Sequence, residues 1–132
     1  MRFIPTRIHG ILDYVVGIAL IAAPWIFGFA DVGGAAMWIP IILGIGLIIY
    51  SLLTDYEYGV VKVIPMPAHL ALDGIAGLFL AASPWLFGFA DEEWNVWVPH
   101  LVVGLVVIAV ALTTQTRPAY ELVEGERRRM GA

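Results

Sequence analysis

Two histidine and aspartate pairs hold the chemistry available to this chain, His9 with Asp13 and His69 with Asp73. A spacing of four residues stacks two side chains on one helical face, with Cβ atoms about 5–6 Å apart. Such a pair suits a proton or ion relay, general acid and base catalysis, or ligation of a metal or haem by the imidazoles. Along the same face follow Gly17, Leu20 and Pro24 in one case and Gly77, Leu80 and Pro84 in the other. At ~100° per residue each set falls within an arc of about 80°. Ionisable groups inside a membrane face the bundle interior or a cavity rather than lipid. Each carboxylate is therefore expected to bond its own histidine, the partner hairpin or helix-end backbone groups, fixing helix register.

The two pairs stand at the same place in an internal repeat. Ala23-Pro24-Trp25-Ile26-Phe27-Gly28-Phe29-Ala30-Asp31 returns as Ser83-Pro84-Trp85-Leu86-Phe87-Gly88-Phe89-Ala90-Asp91, sixty positions later. Ile4 and Pro5 match Ile64 and Pro65 at the same offset. Downstream, one residue is read as lost, which brings Trp38 and Pro40 onto Trp97 and Pro99.

The elements that carry the pairs must be membrane helices. The 132 residues are 61% hydrophobic and 14% charged, with mean hydropathy +0.88, whereas soluble domains carry about a quarter of charged residues. Residues 14–30, 32–54, 74–90 and 94–116 contain no Asp, Glu, Lys or Arg. About 20 apolar residues cross the hydrocarbon core, so four spans are expected. An Asp at a span centre costs about 2.5–3.5 kcal/mol, and about ten large apolar residues in the first span return about 0.3–0.6 kcal/mol each. The first helix is read from Thr6 or Arg7 to about Ala23, with a kink or break at Pro24. The second runs from about Met37 to Leu53, where Gly44 and Gly46 permit close approach, and the fourth from about Trp97 to Thr113. Gly77 and Ala81 give the third helix small-xxx-small spacing. Met1 to Ala23 is not a cleavable signal on this reading, because its pattern recurs at Val61 to Ser83.

Arg2, Arg7, Lys62, Arg117, Arg127, Arg128 and Arg129 all fall on one side of such a bundle, while the opposite loops carry only acids. Basic residues mark the cytoplasmic side, which places both termini inside. Trp25, Trp38, Trp85, Trp94 and Trp97 are expected at the outer interface. Tyr50, Tyr56, Tyr58 and Tyr120 belong to the inner rim, and His100 is read as an interfacial histidine. The chain has no cysteine, so disulfides and thiolate sites are excluded.

The duplicated unit bearing Ser83-Pro84-Trp85, and Ala23-Pro24-Trp25 in its other copy, resembles the SPW repeat family of small prokaryotic integral membrane proteins. The resemblance implies a membrane architecture in a prokaryotic plasma membrane and brings no catalytic residue. Ala23 in place of the signature serine argues against a required hydroxyl in the first copy.

The sequence thus predicts an all-α, four-transmembrane-helix bundle made of two parallel two-helix repeats related by a pseudo-two-fold axis along the membrane normal. The repeats occupy residues 1–60 and 61–116, and 117–132 form a polar cytoplasmic tail, frayed or lying on the inner leaflet. The favoured function is non-enzymatic, a packing or interaction module that works as an accessory subunit or homo-oligomer. Its partners are the lipid bilayer and a membrane protein or a second copy, with no nucleic acid, cofactor or metal expected. Proton or ion translocation through His9, Asp13, His69 and Asp73 is the alternative, followed by haem or metal ligation. The repeat motif supplies Pro24, Trp25, Gly28, Asp31, Ser83, Pro84, Trp85, Gly88 and Asp91 as further residues of interest.

Overall fold

A computed structural model describes residues 2–131. The helices are α1 (Thr6–Ile26), α2 (Gly34–Leu52), α3 (Met66–Leu86), α4 (Trp94–Thr113) and α5 (Ala119–Gly131). The first four have 21, 19, 21 and 20 residues and are apolar enough to cross a membrane; at 1.5 Å per residue they measure about 28–32 Å. The described residues contain no strand, only two isolated bridges. The fold is the expected all-helical, four-span architecture.

Pro24 does not end the first helix. α1 runs on to Ile26, and α3 likewise passes Pro84 to Leu86. A proline three residues from the end removes one backbone bond and leaves one carbonyl, that of the residue four before it, without a donor. In α3 the freed carbonyl is that of Leu80, and the buried Ser83 hydroxyl donates to it at 2.7 Å. The serine of Ser-Pro-Trp is thus a local repair of the proline's damage, and Ala23 leaves the first copy without it. Ser83→Ala is expected to lower stability in detergent by about 1–3 kcal/mol, the cost of an orphaned buried acceptor; a thermal or denaturant melt measures it.

The rest of the motif is a helix stop. Gly28 and Gly88 have φ of 73° and 74°, a left-handed conformation that an ordinary residue adopts only at a cost. Phe29 N–H donates to the Pro24 carbonyl and Phe89 N–H to the Pro84 carbonyl, both at 2.8 Å. A bond of this span around a left-handed glycine defines a Schellman cap. Phe29 and Phe89 then turn inward and join Leu20, Leu80, Ala36 and Val96 in the main apolar cluster. Packing between the hairpins therefore accounts for the repeated Phe-Gly-Phe. Trp25, Trp38, Trp85 and Trp94 are exposed at this end, as an aromatic belt requires.

α2 begins three residues before the expected Met37 and α4 three before Trp97. The offset of sixty also persists: buried Ala36, Gly44 and Thr54 correspond to buried Val96, Gly104 and Thr114. No residue has been lost; Trp and Pro have moved by one position along the second helix. His100 now occupies the place of Pro40. It is buried rather than interfacial, lying between Phe29 and Phe89 with centroids at 5.3 and 4.8 Å. Its Nε2 lies 2.9 Å from the Ala36 carbonyl, the one that Pro40 deprives of a backbone donor.

Within each hairpin the helices pack along their length, α1 on α2 and α3 on α4, whereas the hairpins meet mainly through α2 and α3. The glycines set the first of these contacts. A Cβ on Gly44 would lie 2.5 Å from the Gly17 carbonyl, and one on Gly104 2.6 Å from the Gly77 carbonyl and 2.7 Å from Ala81 Cβ. Gly46, by contrast, meets nothing within 4 Å, so it has no part in close approach. The polar tail forms α5, with Arg128 bonded to Glu124 one turn earlier at 2.9 Å and Tyr120 bonded to Asp55.

Candidate functional site

The chain segments that enter the repeats build the site. Ile4 pairs with Thr114, and Ile64 with Thr54. Ile4 and Ile64 carbonyls accept from Gln115 and Asp55 N–H groups, both at 2.8 Å. The start of each hairpin is thereby tied to the end of the other. Five residues past each isoleucine a histidine leaves the first turn of α1 or α3, directly over the threonine of the opposite hairpin. His9 Nδ1 lies 2.8 Å from Thr114 Oγ1, and His69 Nδ1 lies 2.7 Å from Thr54 Oγ1. Arg2 finishes the arrangement by donating to the Ala111 and Thr114 carbonyls at 2.9 and 2.7 Å, as suits a cation at a helix C-terminus.

All four sequence-predicted residues converge in one buried box. His9 Nε2 stands 3.0 Å from Asp13 Oδ1 and 2.8 Å from Asp73 Oδ2. His69 Nε2 stands 3.0 Å from Asp13 Oδ2 and 3.2 Å from Asp73 Oδ2. Each histidine therefore meets the carboxylate one turn away on its own helix and the one on the other repeat. The four side chains are 0–6% exposed. The imidazole centroids are 5.4 Å apart, edge to face, which leaves no slot for a haem macrocycle.

Tyr50 and Tyr56 complete the box. Tyr50 donates to Asp73 Oδ1, and Tyr56 donates to Asp13 Oδ2 at 2.7 Å. Both tyrosines stand at the inner end where their position in the chain placed them but turn into the bundle: Tyr56 is fully buried in the α2–α3 connection. Burial first, and then the Asp13 carboxylate, push its phenol above the ordinary value, so it remains a donor.

The threonines fix the polarity of the histidines. Thr54 Oγ1 donates to the Tyr50 carbonyl at 2.6 Å and Thr114 Oγ1 to the Val110 carbonyl at 2.7 Å. A hydroxyl has a single proton, so each threonine accepts from its histidine Nδ1–H, and both Nε2 atoms face the carboxylates. Sequence reading missed Thr54, Thr114, Tyr50 and Tyr56. The threonines carried a signal, since both fall at the repeat offset just past a helix end; the tyrosines have no repeat counterparts and carried none. Thr114→Val is expected to cost about 1–3 kcal/mol, because it leaves a buried Nδ1–H without an acceptor. Denaturant titration beside the wild type checks it.

The Pro-Trp motif is not part of this box. His9 and Pro24 are separated by fifteen residues of α1, about 22 Å along its axis. Asp31 and Asp91 are exposed near the same end. Small cavities among the described residues touch the site. One of about 70 Å³ lies between α1 and α4, walled by Leu12, Val106 and Val110 and reaching His9, Asp13 and Asp73.

Four long apolar helices around a buried histidine and aspartate box define a multi-pass membrane protein of repeated hairpins. The chain matches the SPW repeat domain over residues 7–114 and belongs to that family. No curated protein and no solved structure matches it.

Proposed function

We propose that this chain is a non-enzymatic membrane module that packs with copies of itself or with another membrane protein. It sits in the plasma membrane of a prokaryote with both termini in the cytoplasm. The observation that carries this reading is the closure of the box. Its ionisable groups contact one another at 2.8–3.2 Å across the two repeats, so they hold the hairpins together. Connections between helices are short, which leaves the lipid-facing helix surfaces as the area through which the module acts. The basic residues at the box end of the helices, Arg2, Arg7 and Lys62 among them, support the inward orientation.

Native mass in mild detergent and in nanodiscs tests the reading. The expected result is a discrete multiple of the 14.4 kDa chain or a fixed-ratio complex with a second membrane protein. A lone chain in both media would refute it.

A second reading, proton passage, draws on the cavity that reaches His9, Asp13 and Asp73 from the α1–α4 seam. Its hydrocarbon walls favour a dry interface over a wet path. Reconstituted vesicles under an imposed pH gradient are expected to leak no faster than protein-free vesicles. Leakage abolished by Asp13→Asn would favour the second reading instead.

A further inference from the structure

We infer that His9, Asp13, His69 and Asp73 form a binding site for one divalent transition-metal ion, with zinc the ion that the donor set fits best. The four residues offer two nitrogens and two oxygens that all lie within 4.8 Å of one another. Four ligands of this kind suit tetrahedral zinc, with metal–donor bonds of about 2.0–2.2 Å and neighbouring donors therefore about 3.3 Å apart. The nitrogen–oxygen separations of 2.8–3.2 Å need to widen by a few tenths of an ångström, while the widest pair among the four donors, up to 4.8 Å apart, has to close by about 1.5 Å, a side-chain adjustment.

Three observations point to an ion. The threonine hydroxyls hold both Nδ1–H groups, which directs both Nε2 atoms at the centre of the box. A metal-bound histidine is oriented by such a bond from its other nitrogen. Secondly, His69 Nε2 has no hydrogen-bond partner although the residue is wholly buried. The two carboxylate oxygens beside it are close in distance but off the line of an N–H bond. A buried nitrogen in this position calls for an explanation, and a cation shared with the two carboxylates supplies one. Thirdly, the α1–α4 cavity of about 70 Å³ reaches three of the four residues and leaves their side chains room to close around an ion.

Charge agrees with this assignment. Two neutral imidazoles, two carboxylates and one divalent cation sum to zero, as two imidazoliums and two carboxylates also do, so a divalent ion can replace two protons without leaving a net charge in a hydrocarbon surrounding. Tyr50 bonds the Asp73 oxygen that faces away from the histidines, holding that carboxylate for binding through its inner oxygen. With no thiolate in the set, the donors select zinc and its borderline neighbours rather than copper(I). Four protein ligands leave no open position, so the ion would be structural and compatible with a non-enzymatic module, although the inference does not depend on that role.

The test uses the full chain, purified in mild detergent without a polyhistidine tag, stripped with chelator and titrated with Co²⁺ and then Zn²⁺. The expected result is about one equivalent of Co²⁺ per chain, with the visible bands of a tetrahedral ion, displaced by Zn²⁺. Thr54→Val, which leaves all four ligands in place, is expected to weaken Co²⁺ binding by about 10–100-fold. His100→Gln, outside the box, is expected to leave it unchanged. A folded wild type that binds neither ion, or binds Co²⁺ with an octahedral spectrum indifferent to Thr54→Val, would overturn the inference and leave the box an ion-pair latch. Those outcomes are distinct from a change in oligomeric state, which bears on the packing reading alone.

Discussion

Asp73→Ala is expected to destabilise the folded chain by about 3–5 kcal/mol, the range for removing one partner from a buried charged pair. Asp73 faces both histidine Nε2 atoms, at 2.8 and 3.2 Å, and accepts from Tyr50. Its loss leaves two imidazoles sharing the Asp13 carboxylate and a buried phenol without an acceptor. Membrane insertion is not the cause of the loss, because removing an acid makes the third span more apolar. The loss arises after insertion, when the hairpins must join. Replacing His9, Asp13, His69 and Asp73 together by leucine, with Tyr50→Phe and Tyr56→Phe to remove the phenols that would lose their acceptors, is therefore expected to cost less than Asp73→Ala, since no unpaired charge or orphaned donor remains. Reversible unfolding in mixed detergent micelles measures both. A single-variant loss below about 1 kcal/mol, the scale of an exposed pair, would mean that the box does not latch the hairpins.

The extent to which the box was legible in the sequence follows from what a repeat can and cannot encode. His9, Asp13, His69 and Asp73 stood out because spacing of four and duplication at sixty are both visible in a one-dimensional string. Apolar length likewise announced four spans. The cross-connection did not show: each histidine reaches the threonine at the end of the other hairpin, 105 residues away for His9 and 15 for His69. Such a pairing depends on Ile4 and Ile64 exchanging partners between hairpins. Proline misled for a related reason. Read locally, Pro24 and Pro84 break helices; in the fold they each remove one bond close to the helix end, and Ser83 repairs one of them. His100 was read by depth alone, whereas its burial is set by Phe29 and Phe89 arriving from both Schellman caps.

The second large effect falls within the hairpins. Gly104→Val is expected to separate α3 from α4 and lower stability by about 3 kcal/mol, the upper end for overpacking. Even a methyl group at Gly104 would lie 2.5 Å from Ala81 N and 2.6 Å from the Gly77 carbonyl. These are backbone atoms of a neighbouring helix, so relief requires moving α3 itself rather than rotating a side chain. Gly44→Val is the counterpart in the other hairpin, where the Gly17 carbonyl lies 2.5 Å from the added Cβ. Gly46→Ala and Gly74→Ala serve as comparisons: nothing lies within 4 Å of either added Cβ, and alanine favours a helix by up to about 1 kcal/mol over glycine. They are expected to be neutral or slightly stabilising. The ordering discriminates close packing from a general intolerance of substitution in the spans. Combining Gly44→Val with Gly104→Val asks a further question of the architecture. Distant, independent sites add to within about 0.5 kcal/mol, so additivity would mark the hairpins as separate packing units joined by the box. A double variant much less damaged than the sum would mean that one separated hairpin already loosens the other, and that the box transmits strain between them.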